Sequence, residues 1–188
     1  VLRGAATLSG TYYLADNDGR LASGWVVTSD IGSYGLQRYW FVNGTYVRDS
    51  LITSDEAGYW AYATAAGYVA RGRYTASTGY VYLADNDGRL AGPGWVVGDY
   101  GDGLQRYWVD ATAHACVPGY STDGWAHYTL ASGYVVRGRW ADPSTGYVYI
   151  ADNDGRLAGP GWVVGDYGDG LQRYWVDATA HACVPGYS

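Results

Sequence analysis

Aromatic and aliphatic residues alternate along short stretches of this chain, and each stretch runs into a glycine-rich break. In "GYVYLADNDGRLAGPGWVV" (79–97), Tyr80 and Tyr82 alternate with Val81 and Leu83, the period of two of a strand. Asp-Gly follows at 87–88, where glycine accepts the positive φ of a tight turn. A short second strand then ends on Trp95. The grammar of strand, turn and short strand ending on a ring recurs in three variants. Type A is the segment above, type B reads "QRYWVDATAHACVPGY", and type C reads "WAHYTLASGYVVRGRW". No stretch shows helical periodicity.

The spacing from ring to ring defines the units. Type A pairs Tyr13 with Trp25, Tyr82 with Trp95 and Tyr149 with Trp162. Type B pairs Trp108 with Tyr120 and Trp175 with Tyr187, and type C pairs Tyr62 with Tyr74 and Tyr128 with Trp140. In the first B unit Trp40 is followed by Ile52 instead of a ring. Eight units result, near 10–27, 36–53, 58–74, 79–97, 104–121, 124–140, 146–164 and 171–188, each read as a β-hairpin with its Asp-Gly or equivalent turn in the middle. "VVGDYGDGLQ" and "RWADPSTG" read as the loops that join consecutive hairpins. An isolated hairpin is marginal in water, so each unit must bury its rings against a neighbour, as repeat proteins do.

The long repeats span about 10–74, 79–140 and 146–188 of one array covering 1–188. Residues 83–121 and 150–188 differ only at Leu83 against Ile150, which points to recent duplication or to design. The chain starts on "VLRG", similar to "VARG" (69–72) and "VVRG" (135–138), and stops on "GYS", so it reads as a piece cut from a longer array. No initiator Met or signal peptide is present, and no apolar run reaches the roughly 20 residues of a membrane span.

Composition sharpens this picture. The chain carries 21 Tyr and 9 Trp against 1 Phe, rings with polar tips that suit half-wet surfaces. All 12 basic residues are Arg, and the net charge of −6 argues against nucleic acid as a partner. Cys116 and Cys183 occupy the same place in two copies, too far apart in such an array to bond to each other.

The segment "TYYLADNDGRLASGW" (11–25) resembles the repeat of choline-binding and glucan-binding modules of bacterial surface proteins, roughly W-Y-Y-L-D-x-x-G-x-M-x-T-G-W. Related repeats occur in the carbohydrate-binding tails of clostridial toxins. Leu21, Leu90 and Leu157 stand at the Met position, and type B and C units match more loosely. The resemblance implies an all-β hairpin solenoid of about eight stacked hairpins, three per long repeat and per turn. It also implies ligand sites between consecutive hairpins. Carried over by position, the walls are Trp25 with Trp40, Tyr74 with Tyr82, Trp95 with Trp108, Tyr120 with Tyr128, Trp140 with Tyr149, and Trp162 with Trp175. The first Trp of the motif is Thr11, Tyr80 or Tyr147 in type A and Arg38, Arg106 or Arg173 in type B. An arginine beside a cation–π cage repels a quaternary ammonium, whereas Arg106 and Arg173 can grip a carboxylate or phosphate. A glycan or anionic wall polymer is therefore the favoured ligand over choline.

Each feature has a plainer reading. The rings can serve as solenoid core alone. The DNDG loops read as turns, since a calcium loop would need a later bidentate Glu. His114 with Cys116, and His181 with Cys183, offer two potential ligands per copy against the four of structural zinc. The RGR segments (71–73, 137–139) read as solvated edge arginines. No nucleophile–base set, phosphate-cradling loop or HExxH helix is found, and no metal or cofactor is expected. The sequence thus reads as a non-catalytic, extracellular module of a bacterial surface that binds cell-wall polymer or glycan. The alternative is a structural stalk or filament, in which the rings only stack hairpins and open ends self-associate.

Overall fold

The computed structural model describes residues 2–53 and 57–184. The chain divides into two compact units, Val1–Gly92 and Pro93–Ser188. In the first, β1 (Gly4–Leu8) pairs with β2 (Thr11–Ala15), and β3 (Gly24–Thr28) pairs with β4 (Gln37–Val42), which also holds the short β5 (Thr45–Tyr46). There too, β6 (Ser50–Ile52) pairs with β7 (Ala61–Ala63) and β8 (Gly72–Thr75) with β9 (Val81–Ala84). In the second, β10 (Gly94–Asp99) pairs with β11 (Leu104–Val109) and β12 (Gly119–Ser121) with β13 (His127–Thr129). The same unit pairs β14 (Gly138–Ala141) with β15 (Val148–Ala151) and β16 (Gly161–Asp166) with β17 (Leu171–Val176). Every ladder is antiparallel.

Among the described residues the strands form eight sheets, one for each hairpin that the ring spacing predicts, with β4–β5 as an additional short hairpin, but their phase is shifted by half a unit. The long ladders close across the segments read as linkers. β10 and β11 meet around the 99–103 tip, with Asp99 opposite Leu104, and β14 and β15 meet with Ala141 opposite Val148. The Asp-Gly loops do reverse the chain, yet pairing ends almost at once, at Ala15 with Leu21, Ala84 with Leu90 and Ala151 with Leu157. In two copies Gly-Pro follows, and proline has no N–H to extend the ladder.

Each hairpin then begins at a corner. The first residue of β1, β3, β8, β10, β12, β14 and β16 is a glycine at positive φ, from 65° at Gly72 to 120° at Gly119. This left-handed conformation is nearly free for glycine and costs other residues about 1 kcal/mol or more. Before β6 the corner is Asp49, φ 43°, a residue type that tolerates this region. Its carboxylate accepts hydrogen bonds from the hydroxyls of Tyr62, at 2.8 Å, and Ser77.

Neighbouring hairpins lock together through backbone hydrogen bonds. The N–H of Val69 donates to the carbonyl of Arg38 on β4, and that of Leu90 donates to Trp60 just before β7. The second unit repeats the pattern with Val135 on Arg106 and Leu157 on Ala126. Inward positions are small or branched, such as Ala61, Ala63, Ala84, Val109, Ala151 and Val176, all nearly inaccessible to solvent. Bulkier groups fill one core of the first unit, where Ile31, Tyr39 and Phe41 pack with Tyr12, Val26 and Tyr46.

Candidate functional site

The phase shift relocates the predicted walls. All six pairs are brought together, but as directly opposed residues on the two strands of one hairpin: Trp25 with Trp40, Tyr74 with Tyr82, Trp95 with Trp108, Tyr120 with Tyr128, Trp140 with Tyr149, and Trp162 with Trp175. Opposed side chains of an antiparallel ladder stand close enough for their rings to interact. The seam to the neighbouring hairpin is completed by a further ring. Tyr62 of β7 stacks on Tyr82 at 3.9 Å between centroids and lies 5.7 Å from Tyr74. Tyr128 of β13 lies 4.3 Å from Tyr149 and 5.1 Å from Trp140. Such ring pairs contribute about 0.5–1.5 kcal/mol each beyond burial.

The tryptophan hairpins have third rings that the unit spacing does not single out. Tyr59 stacks on Trp25 at 5.4 Å and 9°, and Trp125 stacks on Trp95 at 4.4 Å and 17°. Within each hairpin the two indoles meet edge to face, Trp25 and Trp40 at 4.9 Å and Trp95 and Trp108 at 5.0 Å. In the second trio His127 fills the remaining space, 5.1 Å from Trp95 and 5.3 Å from Trp108. Its Nδ1 meets the carbonyl of Trp125 at 2.8 Å. Burial lowers its pKa below the usual histidine value, against smaller opposing effects of that carbonyl and Asp123.

Arginines close these trios. The Arg156 guanidinium lies 4.2 Å from the centre of the Trp125 ring, and Arg89 lies 5.3 Å from Tyr59. Arg38 lies 5.7 Å from Trp25 and donates to the Tyr59 hydroxyl at 3.0 Å and the Asp87 carbonyl at 2.9 Å. Arg106 forms an ion pair with Asp154 at 3.0 Å, so its fork is engaged by the chain's own DNDG loop. A guanidinium over a ring face is the same cation–π contact that a quaternary ammonium would make.

The pair of the last described hairpin differs. Trp162 and Trp175 meet at 5.4 Å but are 55% and 38% exposed, and Arg173 lies 4.4 Å over Trp162. Tyr187, expected to share a unit with Trp175, lies outside the described residues. Tyr120 is also partly exposed; its ring stacks on His181 at 4.5 Å and 8°, while Tyr128 turns to Trp140 and Tyr149. In the first long repeat Leu51, and not Ile52, stands opposite Tyr62 where Tyr120 stands opposite Tyr128.

The plainer readings find structural partners. The first aspartate of each DNDG loop, Asp16, Asp85 and Asp152, accepts two backbone N–H bonds through Oδ1, the arrangement of a self-closed turn. Cys116 and Cys183 are both free thiols, and burial pushes that of Cys116 up to about 12. Among the described residues, no three His, Cys, Asp or Glu side chains gather as a metal site, and no helix is long and apolar enough to cross a membrane.

Comparison with known structures places this architecture. CbpJ from Streptococcus pneumoniae TIGR4 superposes with a TM-score of 0.56 at 21% identity, over 97% of this chain and 58% of that one. Choline-binding protein F from S. pneumoniae, solved in the presence of a peptidoglycan analogue, gives 0.55 at 24% identity over 98% and 58%. The choline-binding domain of CbpL from S. pneumoniae gives 0.51 at 16% identity over the full length of both chains. The chain therefore has the β-hairpin solenoid fold of choline-binding proteins, and it spans 58% of the length of the CbpJ and choline-binding protein F chains. No protein-family profile and no curated protein sequence matches it.

Proposed function

We propose that this chain is a non-catalytic binding module that holds a secreted protein on a bacterial cell-wall polymer or glycan at the cell surface. The observation that carries the reading is the recurrence of aromatic faces on the hairpin solenoid of choline-binding proteins. Individually weak sites on one chain gain avidity, because the first contact raises the effective concentration for the rest.

The ligand favoured is glycan or wall polymer, not choline. The chain's own cations lie over Trp125 and Tyr59, faces that a choline site would need open. The partly exposed Tyr120, and Trp162 and Trp175 with Arg173 beside them, are the rings assigned to a sugar's C–H face, while the other four pairs chiefly hold seams. The test is co-sedimentation of the full chain with purified Gram-positive walls. Retention that falls with Trp162→Ala/Trp175→Ala supports the reading, and no retention by the wild type refutes it.

A further inference from the structure

A groove of about 710 Å³ opens beside β14 in the second unit. Gln105 of β11, Arg137 and Arg139 on either side of Gly138, Trp140, Asn153 and Tyr167 form its walls. Among the described residues, Trp140 is the one ring position singled out by the repeat that reaches it. Its size falls within the ~300–1,000 Å³ of small-ligand sites.

The walls are held in place by contacts between hairpins. The Arg139 N–H donates to the carbonyl of Tyr167 at 3.1 Å, and its guanidinium pairs with Asp169 at 3.3 Å. Arg137 donates to the Gln105 side chain at 2.9 Å. Gly138 permits this approach: a Cβ there would stand 3.1 Å from the Tyr167 carbonyl oxygen. A groove fixed before ligand arrives spares the entropy of ordering its walls on binding.

The chemistry of the lining selects a ligand class. Arg137 and Arg139 are matched by Asp152 and Asp166 on the same surface, and Asp169 pairs with Arg139, so the groove has no positive excess to draw a polyanion. It offers planar, forked groups instead: guanidinium, amide and carboxylate, which donate or accept in pairs. Adjacent hydroxyls of a sugar ring present that same paired pattern. Val135, Val136 and Ala151 supply an apolar floor, and Trp140 a ring.

We propose that this groove binds a short neutral oligosaccharide, with Arg137, Gln105 and Asn153 reading its hydroxyls and Trp140 facing a sugar ring. The proposal rests on the glycan-binding reading above and gives it a location and a ligand class.

The test uses the full chain with maltotriose and chitotriose as neutral probes and trigalacturonate as the anionic one, by calorimetry and saturation-transfer NMR. A neutral trisaccharide should bind, and Arg137→Ala/Asn153→Ala should weaken it at least about tenfold, the scale of one charged-group hydrogen bond. The thermal midpoint of that variant should fall by only a few degrees, since both side chains are exposed and the Arg137–Gln105 hydrogen bond that is lost lies at the surface. Neutral binding unchanged in the variant, absent in the wild type, or weaker than trigalacturonate binding would overturn the proposal. If neutral binding is absent, or unchanged in the variant, while wall co-sedimentation is lost in Trp162→Ala/Trp175→Ala, the groove is wrong and the wider function stands. If the wild type fails to sediment, the wider function is wrong.

Discussion

Trp95 and Trp108 stand directly opposite each other across one hairpin, with ring centroids 5.0 Å apart at 61°, and Trp125 stacks on Trp95 at 4.4 Å. The seam between hairpins is thereby closed by protein, and His127 and Arg156 occupy the space that remains. Trp95→Ala removes contacts to three neighbouring rings and should cost about 2–4 kcal/mol, near the low end for a large-to-small change because Trp95 is only half-buried. Trp162→Ala removes a side chain 55% exposed and should cost about 1 kcal/mol or less. Urea denaturation of the two variants checks the contrast.

Arg156 is the cation over Trp125. Arg156→Ala should lose about 0.5–2 kcal/mol of cation–π attraction and leave a ring face open to another cation. A gain in choline affinity over the wild type, followed by tryptophan fluorescence, is the expected result.

His127 is fully buried, and its lowered pKa makes stability depend on pH. The unfolded chain binds a proton near pH 6.5, whereas the native ring binds it only at lower pH. The stabilising contribution is therefore complete above about 6.5 and is lost as pH falls below that value. Urea midpoints at pH 7.5 and 5.5 should differ more for the wild type than for His127→Gln.

Corner glycines permit a paired test. Gly138→Ala places a Cβ against the Tyr167 carbonyl at a φ of +68°, whereas Gly4→Ala meets a similar φ of +70° with nothing within 4 Å. Strain at the corner alone predicts about 1 kcal/mol for Gly4→Ala, and the added clash predicts a larger loss for Gly138→Ala. Thermal unfolding of both variants measures the difference.

Much of this architecture is legible in the residues. The alternation of Tyr80, Val81, Tyr82 and Leu83 marks a strand, and the ring spacing counts the hairpins, because only rings at fixed intervals can stack on neighbours. The phase is harder to read. Asp87-Gly88 is a true reversal, but the ladder stops after Leu90, since Gly92-Pro93 cannot extend it and Gly94 turns away at φ 105°. The corner signal lay in the recurring Gly-ring and Arg-Gly-Arg pairs. Asn43-Gly44, a two-residue turn signal, marks the β4–β5 hairpin, a feature the ring spacing passes over. Tyr59 and Trp125 stand before their strands, outside the spacing rule. Arg156 reaches Trp125 only through stacking of later hairpins on earlier ones, for which local sequence has no mark.

The most direct measurement is a choline titration of the wild type, followed through the indole N–H resonances of its 9 tryptophans. Seams already filled by the chain's own rings and arginines predict that the signals of Trp25, Trp40, Trp95, Trp108 and Trp125 stay in place. Saturable shifts of Trp95, Trp108 and Trp125 together would show that choline enters the closed trio, and would contradict the account.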